Sequence, residues 1–210
     1  MRIDVFADIA CPWCYVAERR LEHALASFPG LHVDWQWHAF QLQPQMPPRG
    51  LEWQSFIVQK FGGTAQRNAA FAHVIESGRL EGIMFDFEQM PVAPNTVGAH
   101  RLVLLAQANG VGQAVVEAIF KAYFTDAQDI TDPAILVQIG AAHGLHDVHA
   151  MLETDLYLSD VRDAQEEASQ LGVTGVPFIV FDQRYALSGA QPLEVFERAI
   201  QAAMGAEPPK

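Results

Sequence analysis

Cysteine is scarce in this 210-residue chain, which has only two. Two thiols do not staple a disulfide-dependent scaffold, and a chain of this length buries a sizeable core without one. Cations are scarce too: 13 Lys and Arg stand against 25 Asp and Glu, a formal net charge of −12. Phosphate-backbone binding relies on clustered Lys and Arg, so no nucleic acid is expected as a partner. The acidic balance is most simply a means of staying in solution. Long apolar runs are missing as well. None reaches the ~18 residues of a membrane span, so no membrane is expected as a partner. A secretory leader needs a basic start and an unbroken apolar stretch, and Asp4 and Asp8 interrupt the opening residues. The expected compartment is the cytosol, where two cysteines are poor candidates for a structural bridge.

The two cysteines are Cys11 and Cys14, with Pro12 and Trp13 between them. Residues 2–7 (RIDVFA) read as a short, largely buried strand. Pro12 suits the first position of a helix, which makes Cys11 its N-cap and Cys14 a first-turn residue. Behind them Cys14, Ala17, Leu21, Leu25 and Phe28 form an apolar stripe at helical spacing, with Glu18, Arg19 and Glu22 expected on the opposite side. Pro29 and Gly30 end the helix. Leu31, Val33, Trp35 and Trp37 then alternate with polar residues, the period of a strand. In such a β-α-β context a CxxC reads as thioredoxin-like.

From about Pro44 to Leu171 the pattern turns helical, with helices expected over 51–61, 64–78, 96–108, 112–124, 133–143, 147–155 and 159–171. Asn95 is a good cap for the third of these, and Asp132-Pro133 for the fifth. The strand signal returns at 178–181 (FIVF) and at 185–187. A last helix opens at Gln191-Pro192 and buries Leu193, Phe196, Ala199, Ile200 and Ala203, and a frayed tail follows over 207–210. The fold class is therefore α/β: a β-α-β start and a β-β-α finish, separated by a helical block. The expected division is 1–43 and 172–210 as the two parts of a thioredoxin domain, with 44–171 as an all-helical domain inserted between them.

A zinc site needs four ligands and one CxxC supplies two. His143, His146 and His149 form the one histidine cluster, and Gly144-Leu145 between them reads as a helix junction. Solvated or capping histidines are the better reading, so no metal is expected. Redox chemistry fits better. Free N–H groups and the positive dipole end at a helix N-terminus favour a thiolate, and Cys11 stands there. Cys14, one turn inward, is expected to be more buried and less reactive. Cys11 would attack a substrate disulfide, and Cys14 would then attack Cys11 to release the reduced substrate.

CPWCY after a strand and before an Arg-Arg-Leu-Glu helix, with FQLQP at 40–44, NTVGAHR at 95–101, AYF at 122–124, GVTGVP at 172–177 and SGAQ at 188–191, resembles the DsbA-like thioredoxin family, and particularly its FrnE-like branch. The resemblance covers nearly the whole chain. It implies a thioredoxin fold interrupted by a helical domain, and thiol–disulfide oxidoreductase or isomerase activity on protein or small thiol substrates. It also implies that Pro177 is a cis-proline facing the CxxC, leaving the Val176 backbone free to pair with an extended substrate segment. Pro12, Trp13, Val176 and Pro177 are thus the expected substrate contacts. No cofactor is required, with glutathione a candidate reductant. His38-Ala39 departs from the proline expected just before Phe40.

Kappa-class glutathione transferases and 2-hydroxychromene-2-carboxylate isomerases resemble this architecture but carry a serine where Cys11 stands, so a glutathione-dependent transferase or isomerase is the alternative. A chaperone or adaptor with a relic CxxC is a third, and a redox sensor would use the same chemistry. Glu18 is placed to relay a proton to Cys14, or is simply a solvated helix charge. Asp8 is placed to act on Cys11 by like-charge repulsion, or merely solvates the loop. Trp13 is expected to be exposed. His100 either faces the site or sits in the core. The aromatic residues Phe56, Phe61, Phe71, Phe85, Phe87, Phe120 and Phe124 are expected to be core.

Overall fold

The structure, a computed structural model, describes residues 1–205; the tail expected to fray lies outside the described residues. Four strands form the main sheet: β1 (Arg2–Ala7), β2 (Asp34–Ala39), β5 (Phe178–Phe181) and β6 (Tyr185–Ser188), in the order β2-β1-β5-β6. β1 runs parallel to β2 and antiparallel to β5, which pairs antiparallel with β6. This is the interrupted sheet expected from the sequence. β1 is central because five of its six residues are buried, with Ile3, Val5 and Ala7 on one face and Asp4 and Phe6 on the other. β2 starts later than its alternation predicts: Leu31 and Val33 lie outside it, because the ladder begins only where Arg2 meets Asp34.

Two helices, α1 (Pro12–Ala26) and α9 (Leu193–Gly205), pack together on one side of the sheet. α9 buries Phe196, Ala199, Ile200 and Ala203 as expected, with Leu193 half-buried. A small second core on the other face gathers Phe6, Phe40, Ala168 and Val173.

Between β2 and β5 the helices are α2 (Trp53–Phe61), α3 (Thr64–Leu80), α4 (Val97–Ala108), α5 (Gly112–Phe124), α6 (Pro133–Ala142), α7 (Val148–Glu153) and α8 (Leu158–Gln170). The block is not purely helical. β3 (Leu51–Glu52) pairs antiparallel with β4 (Val92–Ala93), so α2 begins at Trp53, later than expected. The cause is local: Pro91 and Pro94 bracket Val92-Ala93, and a residue before proline is held extended. Asp132 caps α6 as read, whereas the N-cap of α4 is Thr96, one residue later than the Asn95 expected there. Asp132 accepts from the Ala134 N–H at 2.8 Å, and the Asn95 carbonyl accepts from Val97 N–H at 3.0 Å while its amide donates to Met46 O at 2.7 Å.

One expectation about α1 fails. Its stripe side packs as predicted, but Glu18 and Tyr15 are buried as well. The reason is α5, which covers the flank expected to face water. Tyr15 stacks on Phe120 with centroids 5.0 Å apart, in a cluster with Phe85 and Phe124. The helical block thus shares one continuous core with the sheet side.

Close helix packing rests on Gly140 in α6, where an added Cβ would lie 2.4 Å from the Val148 Cγ2 of α7. Val148 is buried and β-branched, so it has little freedom to yield. Gly140→Ala is expected to cost about 1–3 kcal/mol despite alanine's better helix propensity. Chemical denaturation measures this, and a neutral or stabilised variant would contradict the packing described.

Candidate functional site

The site is built where β1 ends and α1 begins. Cys11 takes the N-cap position in an extended conformation (φ −98°, ψ 110°), Pro12 opens the helix, and the Cys11 carbonyl accepts from Cys14 N–H at 3.0 Å. Opposite, the Val176–Pro177 peptide bond is cis. The Cys11 Sγ donates to the Val176 carbonyl at 3.8 Å, which brings together the two halves of the chain that sequence reading assigned to one site. Pro177 leads into β5, and its carbonyl accepts from Gly189 N–H at 2.8 Å.

Both cysteines are free thiols, and both are buried, Cys11 at 5 % and Cys14 at 2 % exposure. The inequality expected between them is small as a difference in exposure. It is larger in chemistry. Burial pushes the Cys14 thiol well above the ordinary cysteine value, reinforced by the hydrogen bond it shares with Cys11 and by the negative charge of Asp8. Trp13 is half-buried rather than exposed, because its ring meets His73 of α3 edge-on at 5.2 Å.

Asp8 neither reaches out to solvent nor idles in the loop. It is 1 % exposed. Its Oδ1 accepts from Ala10 N–H at 3.3 Å and lies 3.2 Å from His100 Nε2, and its Oδ2 accepts from Leu42 N–H at 2.8 Å. Asp8 acts on the Cys14 thiol in two opposed ways, a backbone hydrogen bond that lowers its pKa and a negative charge that raises it, both smaller than the effect of burial. His100, fully buried on α4, also receives the Trp37 Nε1–H at its Nδ1, 3.3 Å away. An indole nitrogen only donates, so that bond assigns Nδ1 as acceptor and leaves the Nε2 proton for Asp8. The sequence left His100 between core and site; it is both.

Glu18 lies one turn past Cys14, 5 % exposed, and turns toward α5. Gln113 Nε2 donates to its Oε1 at 3.4 Å, and Oε2 has no hydrogen-bond partner. Desolvation, with Glu117 and Glu22 nearby, raises its pKa from 4.5 to about 8. The signal was present in the sequence: Cys14, Glu18, Leu21 and Leu25 share one helical stripe.

Two hollows flank the CxxC. One is a groove of about 480 Å³ lined by Trp13, Arg20, His73, Val176, Pro177 and Gly189. The other is an apolar cavity of about 100 Å³ reached past Ala10 and Pro12, walled by Trp53, Phe87, Tyr123 and Phe124. The aromatic residues expected to be mere core thus also line a cavity beside the thiols, and the indole N–H of buried Trp53 is unpartnered there. The histidine cluster lies elsewhere. Gly144 (φ +79°) turns the chain between His143, bonded to the Ile139 carbonyl, and His149, paired with Glu153.

Comparison with known proteins gives a consistent result. The family described as "DSBA-like thioredoxin domain" matches residues 2–201, and the chain belongs to that family. A probable DsbA oxidoreductase from Streptomyces coelicolor is 34 % identical with a TM-score of 0.89, covering 100 % of this chain and 92 % of its own. YwbO, described as an uncharacterized protein of Bacillus subtilis (strain 168), is 26 % identical over 95 % of this chain and 96 % of its own length. The fold is also shared with the cytosolic disulfide reductase DsbM from Pseudomonas aeruginosa, solved with GSH, at 19 % identity and a TM-score of 0.68, covering 97 % of this chain and 99 % of that one.

The buried Glu18 carboxyl makes stability depend on pH in a definite sense. Its folded pKa of about 8 lies above the unfolded 4.5, so the folded state holds the extra proton between them. The stability it contributes is complete below pH 4.5 and falls as pH rises through about 8. The slope approaches roughly 1 kcal/mol per pH unit inside that window. Glu18→Gln is expected to flatten this slope and to be the more stable form at pH 8. Denaturant midpoints across a pH series test it, and an unchanged slope would contradict the buried carboxyl.

Proposed function

We propose that this member of the DSBA-like thioredoxin domain family exchanges disulfides with protein or small thiol substrates through Cys11 and Cys14. The observation that carries the reading is the Cys11 Sγ, set at a helix N-terminus and hydrogen-bonded to the carbonyl before the cis-proline. Cys11, as thiolate, attacks one sulfur of a substrate disulfide. A Cys11–substrate disulfide forms, the substrate's S–S bond breaks, and the departing thiolate takes up a proton. Cys14 then gives up its proton and attacks the Cys11 sulfur, closing the Cys11–Cys14 disulfide and expelling the second substrate thiolate. The substrate gains two electrons and the protein dithiol loses two. An external thiol restores the dithiol, and the same steps in reverse oxidise a dithiol substrate.

Pro12, Trp13, Val176 and Pro177 are the substrate-positioning residues in this reading, supported by the groove that Trp13, Val176 and Pro177 line. The elevated Cys14 thiol suits the resolving role, since it stays protonated while Cys11 meets the substrate. Glutathione is the proposed reductant and the cytosol the proposed compartment. The set of short motifs along the chain favours the FrnE-like branch, and the order of elements favours 1–43 with 172–210 as a thioredoxin domain into which 44–171 is inserted. A glutathione-dependent transferase would need Cys11 alone, and the presence of Cys14 against it weighs for the dithiol.

Equilibration of the protein in a graded glutathione redox buffer, read by thiol alkylation and mass spectrometry, tests the mechanism. The expected outcome is a two-electron transition to a Cys11–Cys14 disulfide. Cys14→Ser is expected to trap a stable Cys11–glutathione adduct and drop turnover to the uncatalysed background. A wild-type protein that stops at that adduct would reject the dithiol and favour the glutathione-dependent reading.

A further inference from the structure

The nucleophile of a disulfide-exchange reaction has to be met by a second sulfur in line with the bond being formed, at about 2.05 Å in the product. Cys11 is 5 % exposed. The groove of about 480 Å³ and the apolar cavity of about 100 Å³ lie on either side, and the lining of neither includes Cys11. The groove wall includes Trp13, two residues along from Cys11, and Val176, whose carbonyl accepts from the Cys11 thiol at 3.8 Å and is held by it. Trp13 is a half-buried side chain on the first turn of α1, and only its ring has to turn.

The Trp13 ring leans on His73, edge-on at 5.2 Å. His73 is exposed but stands on a firm support. On one side of it α3 is anchored by buried Arg67, which donates to the Phe87 carbonyl at 3.1 Å and pairs with Glu88. On the other, Gly78 presses so closely on Phe85 that a Cβ there would lie 2.3 Å from the ring.

We propose that Trp13, latched by His73, is a gate over Cys11 that makes the dithiol select substrates by width. A slender disulfide, on a small molecule or flanked by extended chain, passes into the groove with a small ring movement; one embedded in a folded surface requires the latch to open. This inference rests on the dithiol reading but is tested separately from it. Reduced full-length protein is treated with two neutral alkylating reagents, iodoacetamide and a bulky aryl maleimide, and modification of Cys11 is followed by peptide mass spectrometry. His73→Ala is expected to raise the rate with the bulky reagent about two- to tenfold, the weight of one edge-on aromatic contact, and the iodoacetamide rate by less. His73→Phe keeps a ring at the post and is expected to retain the wild-type ratio. Because His73 is exposed, neither change threatens folding. An unchanged ratio of the two rates in His73→Ala would overturn the gate. Failure of the dithiol reading shows instead as no Cys11–Cys14 disulfide in the redox buffer, whatever residue stands at 73.

Discussion

A single buried carboxylate ties together the end of the molecule that carries the two cysteines. Asp8 sits where β1 leaves the sheet, and its two oxygens reach the Ala10 and Leu42 backbone N–H groups and the His100 ring, while its own carbonyl receives Cys11 N–H. The turn into α1, the chain leaving β2 and the first long helix after β4 are thereby tied to one point. A carboxylate taken out of water at 1 % exposure is costly unless hydrogen bonds replace its hydration, and here three donors do so. The position of Cys11 follows from this arrangement through a backbone bond, whereas the raised Cys14 thiol follows first from its burial and its hydrogen bond with Cys11, with the Asp8 charge a lesser contribution.

The helical block is a structural partner of the sheet as well as a neighbour of the site. α1 is enclosed on two flanks, by α9 and by α5, and both Tyr15 and Glu18 are buried as a result. An active-site helix in a single-layer setting would leave Glu18 in water at its ordinary value. Enclosure changes its chemistry without changing its identity. The same enclosure half-covers Trp13 through α3 and furnishes the aromatic cavity beyond Pro12.

Much of this was legible in the residues. Proline at 12 and the stripe from Cys14 to Leu25 located α1, and strand periodicity with the break into helices located the sheet and its interruption. The cis bond at Pro177 followed from resemblance and from no rule of spacing. What was hidden depends on packing from distant segments. His100 and Asp8 are 92 positions apart, and Glu18 meets Gln113 from 95 away; Glu18 stands on the stripe from Cys14 to Leu25, and its charge rather than its spacing had it read as facing water. The short β3–β4 pair escaped because two residues are too few to show a period, although the prolines around Val92-Ala93 marked them as extended.

The split connectivity has a consequence for how the chain is made. β1 pairs with β5 through Ile3 opposite Phe181, so the central strand waits for a partner that emerges only after some of the last residues are synthesised. At about 5–20 residues per second, that interval is on the order of ten to several tens of seconds. Throughout it an apolar strand offers one unpaired edge to any other extended segment. Arg2 and Asp4, joined on that strand as an ion pair, are the charges that stand on it during the wait. A nascent chain of this architecture is thus exposed to wrong strand pairing until Phe178–Phe181 emerges, after the helical block is already complete at Gln170.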